Sequence, residues 1–214
     1  MWGALLALVG WYQGSFEKGD IAWFTNGKIN VSWNCLDRHI KERGDQTAII
    51  WESDEVGTGR SYTYSEVLEE TCKVANVLKS WGVKKGDTVA VYMPMIPEVA
   101  FVMLACARIG APHSIVFAGF SANSLRDRIV DASSKWVICA DEGKRGGRTV
   151  ALKTVVDEGA SAILVVLVVG DDTRVLHYFC YWAGCATLRS HVHLFASPRA
   201  CVLRALHSSC RCFV

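Results

Sequence analysis

Two arginines bracket two glycines in the run Arg145-Gly146-Gly147-Arg148. A guanidinium presents its N–H donors as a planar fork that takes phosphate or carboxylate oxygens in pairs. Glycine has no Cβ, so it lets a ligand reach the main chain and accepts positive φ. The run falls in a loop between a strand and a predicted helix, whose N-terminal dipole favours negative charge. Together these residues describe a site for a phosphate-class anion. Lys144 strengthens the local field but is a weaker specific ligand. A solvated surface turn has the same composition, and the residues alone leave both readings open.

Other reactive side chains point to packing. His39 lies in a short helix and His113 precedes a strand, and neither has a nucleophile or acid partner at useful spacing. The stretch Ala118-Gly119-Phe120-Ser121 lacks the Gly-Lys-Ser/Thr ending of a phosphate loop and reads as a strand-to-helix turn. Cys210-x-Cys212 and His191-x-His193 match no common zinc-finger spacing, so no metal site is expected. Cys35, Cys72, Cys106 and Cys139 sit in apolar contexts and read as small core residues. No residue is assigned a catalytic role.

The elements that position the arginine run follow ordinary punctuation. Asn34 is placed to cap a short helix through Arg43, and Thr47 to Trp51 reads as a strand. Thr63-Tyr64-Ser65-Glu66 is a capping box. Behind it Val67, Leu68, Thr71, Val74, Ala75 and Leu78 line one helix face, and Gly82 suits a left-handed C-cap. Lys84 to Asp87 is a turn and Thr88 to Met93 a strand. A helix runs from Glu98 to about Ile109, ended by Gly110. His113 to Phe117 is a strand, Ser121 starts another helix, and Trp136 to Ala140 is a strand. Ala160 to Val169 reads as a buried strand. Strands alternating with helices imply an α/β fold with a mainly parallel sheet and flanking helices.

Composition sets outer limits. The chain has 214 residues, 51% of them hydrophobic, with a formal net charge of +2. That charge does not single out nucleic acid as a partner. No apolar run reaches the roughly 18 residues of a membrane span. The first ten residues lack the basic region and cleavage site of a signal peptide, so the cytosol is the expected compartment. Residues 175–214 contain no Asp, Glu or Lys, only Arg189, Arg199, Arg204 and Arg211. Taking their +4 from the total of +2 leaves −2 for residues 1–174. Ordinary domains carry both signs on their surface, so this tail is expected to be irregular. The expected division is 1–13, 14–174 and 175–214.

Several segments carry a resemblance. They are Gly19-Asp20-Ile21-Ala22-Trp23-Phe24, Asn34-Cys35-Leu36-Asp37-Arg38-His39, Tyr62-Thr63-Tyr64 and Tyr92-Met93-Pro94-Met95-Ile96-Pro97-Glu98. The longest runs from Ala105 to Ser114, followed by Val116 to Ser121 and Ala140 to Arg148. In this wording the chain resembles the N-terminal part of the AMP-forming acetyl-CoA synthetases, within the acyl-adenylate-forming ligases, over about Gly14 to Glu158. The resemblance implies part of that family's large N-terminal α/β domain. It implies a reaction in which acetate and ATP, with Mg²⁺, give acetyl-adenylate and pyrophosphate before the acetyl group passes to CoA. It assigns Arg145, Gly146, Gly147 and Arg148 to the nucleotide phosphates of CoA. The family's Ser/Thr/Gly-rich phosphate loop with its Lys does not occur in this sequence. The ATP, acetate and Mg²⁺ sites belong beyond the matched region, so the chain is expected to be inactive alone with a weak, partial CoA site. The alternative is a non-catalytic module that associates or competes with full-length synthetase, through an exposed sheet edge. Membrane association through Ala160 to Val169 ranks last, because the run is too short to span.

Overall fold

Val89-Ala90-Val91-Tyr92-Met93 is apolar on both faces, the pattern of a strand covered on both sides. The computed structural model describes residues 10–25, 27–159 and 165–169, with the backbone alone for 10–12 and 165–169. In it β5 (Val89–Met93) is buried at every position. β5 pairs in parallel with β6 (His113–Phe117) and with β7 (Trp136–Ala140), and β7 pairs in parallel with β10 (Val165–Val169). The strand order is β10-β7-β5-β6. The fold is therefore α/β with a parallel sheet and flanking helices, as the alternation of elements predicts. The expected strand from Ala160 is seen over Val165–Val169; residues 160–164 and the whole tail 175–214 lie outside the described residues.

Alternate side chains of β5 enter different layers, as a period of two requires. Val89, Val91 and Met93 join Val67, Val74, Leu78, Phe101 and Val102 in one core. These come from α2 (Tyr64–Ser80) and α3 (Pro97–Ile109). Ala90 and Tyr92 join Leu125, Ile129, Leu152 and Val156 in the other. Those come from α4 (Ala122–Asp131) and α5 (Leu152–Gly159). The result is three layers, helix on sheet on helix.

Local chemistry starts and stops these helices. The Thr63 N–H donates to Glu66 Oε2 at 2.7 Å, and the Glu66 N–H donates to Thr63 Oγ1 at 3.2 Å, which closes the expected capping box of α2. The Glu66 carboxyl is held below its ordinary value by the Thr63 N–H first, then by the Thr63 hydroxyl. Gly110 ends α3 at φ 73°, a left-handed cap open to glycine without cost. Ser121 caps α4, accepting from the Ser124 N–H at 3.4 Å.

The region around Asn34 departs from the sequence reading. Residues Trp33–Asp37 form a wide π-turn ahead of α1 (Arg38–Arg43), and the N-cap position is Ser32, without a side-chain cap bond. Asn34 lies inside the turn and accepts from the Arg38 guanidinium at 2.7 Å. A tertiary anchor outweighs local capping here. Leu36 is buried, and Asp37 takes both terminal nitrogens of Arg108 on α3 at 2.7 Å each.

Three of the four expected core cysteines are buried, and Cys35, on the π-turn, is exposed. Burial pushes the Cys106 and Cys139 thiols up to about 12. The thiolate is the reactive form. Among these four, peptide mapping after brief alkylation of native chain should find Cys35 modified first, with Cys106 and Cys139 reacting only in denaturant. Native modification of Cys106 as fast as Cys35 contradicts this packing.

The chain divides between Asn30 and Val31 into two units. In the first, β1 (Gly10–Gln13) pairs antiparallel with β2 (Ala22–Thr25). Gly14 leaves β1 at φ +94°, and a Cβ there would meet the Asp20 carbonyl oxygen at 1.6 Å. Glycine is therefore required at that bend.

Candidate anion-binding turn

Gly146 and Gly147 both have positive φ, at 58° and 72°. Two consecutive residues of that hand favour a two-residue hairpin whose twist matches its strands. The run accordingly sits on a hairpin of β8 (Glu142–Arg145) and β9 (Arg148–Ala151), with Arg145 paired to Arg148 across the turn. The expected loop leading straight into a helix is not found. β9 intervenes, α5 begins at Leu152, and the Lys153 N–H donates to the Asp141 carbonyl at 2.9 Å. The helix dipole therefore has no part in the turn.

The hairpin gathers all four predicted residues. Like charges directly opposite in an antiparallel pair are unfavourable, so two facing arginines mark a position that tolerates repulsion. The Arg145 guanidinium relieves part of it by lying over the Phe117 ring, 5.4 Å from the centroid. Both arginines and both glycines are exposed, and Arg148 makes no ion pair among the described residues.

The two glycine amides point the same way and already hold an anion. The Gly146 N–H donates to Asp54 Oδ1 at 3.1 Å and the Gly147 N–H to Asp54 Oδ2 at 2.9 Å. These bonds, Gly147 first, hold the Asp54 carboxyl below its ordinary value, with Lys144 adding attraction. The group is charged at neutral pH, and the contact weakens only as acidification passes below the usual carboxylate range. Lys144 pairs with Glu55, the next residue along. Asp54 and Glu55 lie between β3 (Thr47–Trp51) and β4 (Arg60–Thr63). Sequence reasoning missed both. The Asp54 contacts are separated by 92 and 93 residues along the chain, and no local pattern links the two loops.

The remaining candidates make packing contacts or are partly buried. The His39 ring packs on Tyr64 with centroids 5.5 Å apart, and burial lowers the basicity of His113. The turn after β6 is closed by aromatic packing and a tether. Phe117 and Phe120 meet edge to face, and the Tyr92 hydroxyl donates to the Phe120 carbonyl at 2.8 Å. No group of three or more His, Cys, Asp or Glu is disposed to hold a metal among the described residues. The cysteine and histidine pairs of residues 191–212 lie outside them. Among the described residues no helix is long and apolar enough to cross a membrane.

Comparison with known proteins agrees with the resemblance. A family model described as AMP-binding enzyme matches residues 36–177, well over half of the chain. Acetyl-coenzyme A synthetase 2 of Saccharomyces cerevisiae is 58% identical over 154 residues, covering 72% of this chain and 22% of that protein. The protein of the same name from Candida glabrata is 59% identical over 150 residues, 70% of this chain and 22% of its own length. Acetyl-coenzyme A synthetase of Emericella nidulans is 60% identical over 146 residues, 68% of this chain and again 22% of that protein. The matched segment is thus about a fifth of each relative. Identity near 60%, with a family match that includes the sheet, its helices and the arginine hairpin, leaves one assignment: the chain belongs to the AMP-binding enzyme family.

Proposed function

We propose that this chain is an acetate–CoA ligase segment that keeps a partial CoA phosphate site and does not run the ligation by itself. The whole reaction would convert ATP, acetate and CoA to acetyl-CoA, AMP and pyrophosphate. One observation carries the CoA reading: a two-glycine turn with convergent amides, flanked by paired arginines, within a segment about 60% identical to acetyl-CoA synthetases. The amides suit phosphate oxygens, and the guanidiniums supply charge and bidentate geometry. No step is assigned to ATP or Mg²⁺, because the 214 residues contain no Ser/Thr/Gly-rich phosphate loop with a Lys. Equilibrium dialysis against CoA tests the site. Wild-type chain should bind weakly and saturably, and the R145A/R148A double variant should lose at least about tenfold, from two charge-assisted contacts. Equal binding by the two proteins rules the hairpin out.

A second reading has its own support. β6 ends the order of described strands, and its Ile115 and Phe117 are 43% and 52% exposed. An apolar strand open along one edge favours pairing with another chain. The partner proposed is a full-length acetyl-CoA synthetase. Co-expression should then yield a stoichiometric complex, whereas a monodisperse monomer beside free synthetase overturns this reading.

A further inference from the structure

We infer that the β3–β4 loop is a built-in competitor of the arginine hairpin: the Asp54 carboxylate occupies the Gly146 and Gly147 amides that an incoming phosphate would take, and must swing away before phosphate can bind there. The inference rests on the reading of Arg145 to Arg148 as a phosphate site. Both Asp54 oxygens are engaged, one on each amide, at 3.1 and 2.9 Å. A phosphate group presents oxygens at similar spacing, so the two anions compete for the same donors. The loop is held by a second tie, from Glu55 to Lys144 beside the turn. Both ties are solvent-exposed and on the surface, so opening them uncovers no core.

The surroundings suit a latch. Gly57 continues the loop at φ 85°, and a Cβ there would meet nothing within 4 Å, so the loop is unpacked at that position. Leaving the hairpin, Asp54 returns to water, while the phosphate that replaces it gains two guanidiniums that the carboxylate does not engage in the closed form. The exchange lowers apparent affinity without abolishing it. If the latch is closed in about nine molecules of ten, apparent affinity falls roughly tenfold.

The test follows the Gly146 and Gly147 amide signals of ¹⁵N-labelled chain during titration with inorganic phosphate and, separately, CoA. In D54A both amides should shift saturably, with both ligands bound roughly three- to tenfold more tightly than by wild type. D54N, which keeps the shape and loses the charge, should gain less. If folded D54A binds equally or more weakly, Asp54 organises the turn instead of competing for it, and the inference is overturned. Should D54A not fold, D54N and E55Q decide: tighter phosphate binding by either supports the latch, and none overturns it. If phosphate affinity rises in D54A while CoA binds no better than phosphate in any variant, the latch stands and the CoA reading falls. If neither ligand moves these amides in any variant, the hairpin is no anion site and both fall.

Discussion

Incubated with acetate, ATP and Mg²⁺, the purified 214-residue chain should release no pyrophosphate above background, with or without CoA. An intact acetyl-coenzyme A synthetase assayed alongside provides the positive control. Transfer at phosphorus is accelerated mainly by in-line positioning and by charges arranged for the transition state. In this chain the arginine pair is exposed on a hairpin, and the glycine amides between them hold Asp54. Removing one preorganised donor from a catalytic site costs about 100- to 1,000-fold. A chain without the phosphate loop and its Lys loses several at once, so the expected deficit exceeds about a thousandfold. Acetate-dependent release less than about a thousandfold below that of the intact enzyme contradicts this.

Asp37→Ala should destabilise the fold strongly. Asp37 and Arg108 form a two-pronged pair at 2.7 Å, with side chains only 21% and 10% exposed. Ser32 adds a longer contact to the same guanidinium at 3.4 Å. Removing the carboxylate takes both of these charge-assisted contacts from a largely buried cation, which costs about 3 kcal/mol. That is a large part of the roughly 5–15 kcal/mol by which a domain is stable. Replacing both partners with apolar residues removes the desolvated charges together, so D37L/R108M should recover at least half of the loss. Urea midpoints at constant slope measure both. A loss under about 0.5 kcal/mol for Asp37→Ala contradicts the anchoring role.

The two results share a lesson about what the sequence discloses. Elements governed by neighbours in the chain are legible. The Thr63–Glu66 box, the Gly110 cap and the fully apolar β5 each follow from residues within a few positions. Elements governed by distant partners are not. Asn34 has a capping residue's chemistry, but Asp37 is bound 71 residues away by Arg108, and the segment widens into a π-turn. Cys35 has apolar neighbours yet turns outward on that same segment. The four residues of the arginine run are contiguous, so their grouping on one turn is legible. Their hairpin setting was implicit in the adjacent glycines, since two positive-φ positions favour a tight β-turn over a helix start. Asp54 carried no signal. An acidic residue in a Gly-bearing loop is ordinary, and only the fold sets it against Gly146 and Gly147.

The proposal on which the functional reading rests is that Arg145 to Arg148 bind the phosphates of CoA. Chemical-shift mapping of the ¹⁵N-labelled chain during a CoA titration decides it. Saturable shifts should centre on Lys144 to Arg148 and spread to Asp54 and Glu55, with smaller ones near Phe117 and Phe120, which pack beside Arg145. Saturable shifts centred on the Ala118 to Ser121 turn, with Arg145 to Arg148 silent, would contradict it.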